Sequence, residues 1–152
     1  MPHNNDFDLQ DFLPYLMNQA AEALSLDFQR HYKGKYGMLR TEWRVLFHLG
    51  RYGEMTAKDI CDRARLHKTK VSRAVAALDA KRYLRRREVE HDRRHAALSL
   101  TPLGDRVFAD LSAIAQEFDA RVRADMTREE ALIFHRCLVR ISGMPKDAPG
   151  AR

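Results

Sequence analysis

Residues 68 to 94, KTKVSRAVAALDAKRYLRRREVEHDRR, set the tightest limit on what this chain can fold into. Val71, Ala74, Val75 and Leu78 recur at i, i+3, i+4 and i+7, the spacing of a single apolar helix face. Such a face needs a core beneath it. The opposite face carries Thr69, Arg73, Ala76 and Ala80, with Lys70 and Ser72 at its margins, so short side chains stand among hydrogen-bond donors. Two strand candidates follow, Tyr83 to Glu90 and His95 to Leu100, around a tip of His91, Asp92, Arg93 and Arg94. No Asn-Gly or Asp-Gly marks a tight turn, which predicts a longer, mobile tip.

This stretch also holds the charge. It contains ten Lys and Arg against four Asp and Glu, while the residues on either side balance, so the whole formal charge of +6 is focused here. A positive field gathered on one helix and one hairpin suits a polyanion. Lys68, Thr69, Lys70, Ser72 and Arg73 can donate to phosphates or base edges, and Arg86 adds a cation on the first strand. Either Arg93 or Arg94 is placed to enter a narrow minor groove, with Asp92 orienting it by a charge-assisted hydrogen bond. The competing reading is an ordinary basic surface helix; the localisation of charge and the hairpin that follows argue against it.

The remaining elements are helical. Phe12, Leu13, Leu16, Met17, Ala20, Ala23, Leu24 and Phe28 predict a long helix from about 11 to 31, with Asp11 as N-cap and KGKYG at 33–37 ending it. A second helix is expected over 41–51. Thr56 with Asp59 reads as a capping box opening a third helix over 56–64, and Arg65, Leu66 and His67 form a turn into the basic helix. Thr101-Pro102 signals the start of a helix reaching about 124, and Thr127 with Glu130 opens a last one. Two short helices joined by a turn, the second basic, followed by a strand pair, make a winged helix-turn-helix. The expected fold is therefore mainly α with a small β-wing, one domain over 1–152. Its DNA-binding lobe spans about 41–100, and dimerisation helices span about 11–32 and 101–143.

Apolar helices at both ends favour a homodimer, whose two recognition helices would meet an inverted repeat in double-stranded DNA. RNA fits less well, since its deep, narrow major groove excludes a helix. With 45% hydrophobic and 32% charged residues and no apolar run of membrane-spanning length, the chain is expected to be neither disordered nor membrane-bound, and cytoplasmic. No cofactor or metal site is expected. Cys61 and Cys137 form no CxxC, and the one four-residue histidine pair, His91 and His95, falls in the wing. No nucleophile with a base, phosphate loop or HExxH points to an enzyme. Two alternatives remain: a redox response through Cys61 and a nonspecific architectural DNA binder.

EWRVL at 42–46, MTAKDI at 55–60, TKVSRAVAAL at 69–78, HDRR at 91–94 and LSLTPLG at 98–104, in this order, resemble the MarR family of winged-helix regulators. The resemblance implies a homodimer held by its terminal helices, which binds palindromic DNA as a repressor and is released by a small molecule or by oxidation. It places Thr69, Lys70, Ser72 and Arg73 at groove-reading positions and makes Arg94 the minor-groove residue, steadied by Asp92. It also implies an effector pocket between the first two helices and the DNA-binding lobe, for which Met17, Phe28, His31, Trp43, Arg44, Phe47 and His48 are candidates. Each of the apolar ones is better explained as core. Arg44 and His31 would suit an anionic aromatic acid or acyl thioester, although Arg44 could instead pair with Glu22. One position departs from the pattern: Arg82 in LDAKRYL stands where the family usually has Gly. Either Arg82 adopts a left-handed conformation at a cost of roughly 1 kcal/mol, or the helix ends differently and the wing is re-aimed.

Overall fold

The computed structural model describes residues 6–89 and 92–144, with the backbone alone at 89 and 92–94. It has six helices and a small sheet among these residues. α1, Leu13–Tyr36, follows a 3-10 turn at Leu9–Asp11 and is capped by Phe12, not Asp11. It also runs past the expected end. Gly34 within a helix costs only propensity, whereas the chain leaves the helix where Gly37 takes the left-handed φ of 61°.

α2, Arg40–Tyr52, buries Glu42, Val45, Leu46 and Leu49. The Glu42 carboxylate accepts the Leu39 N–H, closing the first turn, and lies 3.9 Å from Lys81 Nζ. A buried carboxylate thus has partners on both sides, as burial requires. β1, Met55–Thr56, leads into α3, Ala57–Ala64, through the Thr56–Asp59 capping box. α4, Lys68–Ala80, buries Val71, Ala74, Val75 and Leu78, the four positions that its spacing marks out.

β2, Leu84–Val89, and β3, Asp92–Leu100, form the hairpin, and β1 adds a third strand in the order β1-β3-β2, all antiparallel. Met55 pairs with Leu98 and Thr56 with Ala97, so the sheet joins the start of α3 to the wing. α5, Pro102–Ala124, is capped by Thr101, and α6, Arg128–Ser142, by Thr127 with Glu130. No helix among the described residues is long and apolar enough to cross a membrane.

One core cluster draws on α1 to α5 and the sheet, and in it Tyr32, Met38, Leu46, Ile60, Leu78, Leu98 and Leu111 are almost fully buried. Each contributes roughly 1.5–3 kcal/mol by leaving water. α6 contributes nothing to it, since none of its residues is buried. Leu132, Ile133, Phe134, Leu138 and Ile141 face solvent in the single chain, as do Phe12, Leu13, Leu16, Leu24 and Leu26 near or on α1.

Candidate nucleic-acid interface

The candidate interface centres on α4, because one of its faces is committed to the core. Lys68, Thr69, Lys70, Ser72 and Arg73 are therefore exposed together. The helix begins at His67, whose ring Nδ1 accepts the Thr69 N–H at 3.2 Å; a sequence reading that assigns His67 to the turn misses this cap. The imidazole must be unprotonated at Nδ1 to accept that bond.

The end of α4 sets the direction of the wing. Arg82 takes the left-handed conformation, φ 62°, the first of the two outcomes open to it. The Arg82 N–H bonds the Asp79 carbonyl at 2.9 Å and the Tyr83 N–H bonds the Leu78 carbonyl at 2.9 Å, the paired closure of a Schellman motif. Thr101 secures the same residues from the far end of the sheet. Its hydroxyl donates to the Arg82 carbonyl at 2.7 Å, and its N–H to the Tyr83 carbonyl at 3.0 Å.

The cations of this stretch divide into two groups. Arg86 lies 3.5 Å from Asp79 and ties β2 to α4, Arg87 pairs with Glu54 at 2.6 Å and ties β2 to the loop after α2, and Lys81 faces Glu42 and ties the end of α4 to α2. Lys68, Lys70, Arg73, Arg82 and Arg85 have no ion pair among the described residues, and all are exposed. Arg86, expected at the interface, is thus partly engaged elsewhere. Asp92, Arg93 and Arg94 belong by backbone to β3 and not to a loop, which corrects the expectation of a long tip. Their side chains, with Glu90 and His91, lie outside the described residues.

A helix-turn-helix also needs its turn held. Arg65 ends α3 in the left-handed region, φ 54°, and its guanidinium donates to the Ser142 carbonyl at the end of α6, 2.7 Å away. The turn before α4 is therefore tied to the last helix.

Behind this lobe a cavity of about 460 Å³ opens between α1 and α2, lined by Asn18, Ala21, Glu22, Ser25, Phe28, Tyr32, Arg40, Trp43 and Arg44. Phe28, Trp43 and Arg44 were anticipated. Met17, His31, Phe47 and His48 do not line it. Met17 and His31 stand one residue off the helix face that carries 18, 21, 25, 28 and 32. Phe47 and His48 lie a turn further along α2, where Phe47 packs on Phe108 and His48 on Tyr52. Tyr32 and Trp43 stack at 6.0 Å, and Phe28 meets Trp43 at 5.4 Å, so an aromatic wall forms the floor.

The pairing of the charged residues at this cavity was not legible in sequence. Arg40, not Arg44, pairs with Glu22, through two hydrogen bonds of 2.9 and 3.1 Å. That pairing holds the Glu22 carboxyl below its ordinary pKa. Arg44 instead donates to the Ala64 carbonyl at 2.6 Å, closing the end of α3. Burial, and then the charge of Arg40, lower the Arg44 pKa. Tyr32 shifts upward through burial, although the facing Arg40 opposes this.

Residues 36–95 match the MarR family model. The chain is 24% identical over 122 residues to YwoH of Bacillus subtilis (strain 168), an uncharacterized HTH-type transcriptional regulator, covering 80% of this chain and 88% of that protein. It superposes with a TM-score of 0.80 on a MarR/EmrR family transcriptional regulator from Acinetobacter sp. ADP1, at 25% identity, covering 90% of this chain and 96% of the other. It shares the fold of Bordetella bronchiseptica BpsR, whose DNA binding is regulated by 6-hydroxynicotinic acid, with a TM-score of 0.79, 17% identity and coverage of 91% and 98%. A winged helix-turn-helix with this order of elements, matched over residues 36–95 by the family model and over most of its length by MarR-type transcriptional regulators, makes the chain similar to the MarR family of regulators of transcription.

Proposed function

We propose that the protein is a homodimeric repressor, acting in the cytoplasm, that binds an inverted repeat in double-stranded DNA and is released by a small anionic, aromatic effector. The observation that carries this reading is the exposed row Lys68, Lys70 and Arg73 on α4, cations with no ion pair among the described residues, beside Thr69 and Ser72. Cations held ready without carboxylate partners can release counterions from a phosphate backbone. Arg94, oriented by Asp92, takes the minor-groove role by family resemblance. The dimer reading rests on the many large apolar residues left unburied on α6 and on the N-terminal part of α1, which a second copy would cover. The domain is a single unit in which α1, α5 and α6 pair with a second copy. The effector site is the cavity between α1 and α2, where arginines border an aromatic floor.

Fluorescence anisotropy on an inverted-repeat duplex from the protein's own promoter, with a scrambled duplex as competitor, tests the DNA reading. The repeat should bind about a thousandfold more tightly at physiological salt. Equal affinity for both duplexes would make the protein a nonspecific binder. Sedimentation of the free protein should give a dimer.

A further inference from the structure

α4 is bounded by the only two non-glycine residues of left-handed φ among the described residues, Arg65 at 54° before it and Arg82 at 62° after it. Each ends a helix in the same way: the Leu66 N–H bonds the Cys61 carbonyl at 3.1 Å, as the Tyr83 N–H bonds that of Leu78 at 2.9 Å. A residue with a Cβ keeps this conformation only where its surroundings hold it there. At Arg82 the hold comes from Thr101 across the sheet. At Arg65 it comes from the other end of the chain.

The Arg65 guanidinium donates to the Ser142 carbonyl at 2.7 Å, across 77 residues of sequence. Ser142 is the last residue of α6, so its carbonyl is one of the four at a helix end that lack a donor from within the helix, and it stands at the negative end of the helix dipole. A cavity of about 560 Å³, with Tyr52, Met55, Asp62, Arg65 and Met144 in its wall, opens beside the bond. No residue of α6 is buried, so among the described residues this hydrogen bond, and not packing, joins the end of α6 to the α3–α4 turn.

We propose that Arg65 is a positioning residue for DNA reading, a strut through which the end of α6 keeps the turn before α4 closed. This rests on the DNA and dimer readings given above and adds a link between them. A 15-residue helix with its apolar side uncovered is marginal in water, so the Ser142 carbonyl is in place only while a second copy covers that side. Assembly then does more than bring two reading helices together. It closes the turn in front of each, because a chain without its partner loses the strut and with it the support for a left-handed Arg65.

Hydrogen exchange of the Leu66 amide, on the full-length protein at concentrations where it sediments as a dimer, reads the state of the turn. The Asp59 amide, bonded to Thr56 Oγ1 at 3.1 Å at the start of α3, is the internal control. Arg65→Ala keeps the Cβ and removes the strut. Leu66 should then exchange about fivefold faster, the worth of one exposed hydrogen bond, with Asp59 unmoved. Duplex affinity should fall about threefold, because the turn is closed in fewer molecules. Arg65→Lys, whose ammonium still reaches the carbonyl, should recover most of both. Gly143→Ala strains the end of α6 at φ 62° and leaves the guanidinium its place, 4.0 Å from the added Cβ. It should speed Leu66 exchange in the wild-type background and add nothing to Arg65→Ala. Wild-type protection of Leu66 in Arg65→Ala, an equal loss at Asp59, additive effects of the two substitutions, or a wild type that sediments only as a monomer would overturn the proposal. Duplex binding on the same samples separates the readings. Intact wild-type binding with an unmoved Leu66 removes only the strut, whereas the expected exchange pattern in a protein without duplex affinity removes the regulator reading.

Discussion

Gly104 and Tyr83 meet backbone to backbone: a Cβ on residue 104 would stand 1.9 Å from the Tyr83 carbonyl oxygen. That oxygen already accepts the Thr101 N–H, so the first turn of α5, the end of the wing and the exit from α4 are closed around one peptide group. There is no room in this contact for a side chain.

Gly104→Ala should therefore destabilise the fold by at least about 2 kcal/mol, because backbone must move on one side or the other. Gly34→Ala is the matched control. Gly34 lies within α1 with nothing inside 4 Å, and alanine there should raise stability by roughly 0.5–1 kcal/mol. Urea titrations of the two variants should move in opposite directions; a neutral Gly104→Ala would mean that the α4 exit is looser than this geometry.

Arg82 poses the reverse problem, a side chain where the backbone favours glycine. Arg82→Gly should relieve about 1 kcal/mol of left-handed strain, less what the unfolded chain gains in freedom. If the Arg82 guanidinium also contacts a phosphate, the slope of log K against log salt for duplex binding should shrink by about one. An unchanged slope assigns Arg82 to the fold alone.

On α4, Arg73→Ala should cost about 1–3 kcal/mol of duplex binding and relax base preference at one position of each half-site, whereas Lys70→Ala should weaken all duplexes alike if it contacts phosphate. Arg94→Ala should weaken the operator complex strongly and leave the sedimentation coefficient of the free protein unaltered. Affinity that survives Arg94→Ala would rule out a minor-groove role for the wing.

His48 gives a pH dependence with a definite sign. Burial lowers its pKa first, and the charges of Arg44 and Arg63 lower it further, while the bond from its Nδ1–H to the Arg44 carbonyl, 2.6 Å, acts the other way. The folded state thus binds this proton less readily than the unfolded chain. Stability is complete above the ordinary histidine pKa of about 6.5, falls as pH drops through it, and levels below the depressed folded value. His48→Gln, whose amide can still reach the carbonyl, should flatten the stability profile between about pH 7 and 5. An identical profile would assign the slope to another group.

Local chemistry made much of this fold legible from sequence. Thr56 with Asp59, Thr101 with Pro102 and Thr127 with Glu130 each announce a helix start within four residues, and the four buried positions of α4 are written in its spacing. What failed depends on residues distant in the chain. β1 is two residues long and exists only because Leu98 and Ala97 pair with it. The partner of Arg44 is a main-chain carbonyl, which no residue type advertises. The Glu22–Arg40 pair spans α1 and α2, whose crossing is set by aromatic packing, so the pairing with Glu22 that the sequence left open to Arg44 falls to Arg40 instead.

α6 is fully formed at both ends, with a capping box and a left-handed Gly143, yet it has no layer beneath it. A peptide of 15 residues in water sits near the midpoint between helix and coil. Its circular dichroism should thus behave as a dilution gauge, fading as the sample is thinned and returning as it is concentrated, so that a melting temperature has meaning only beside the concentration at which it was taken.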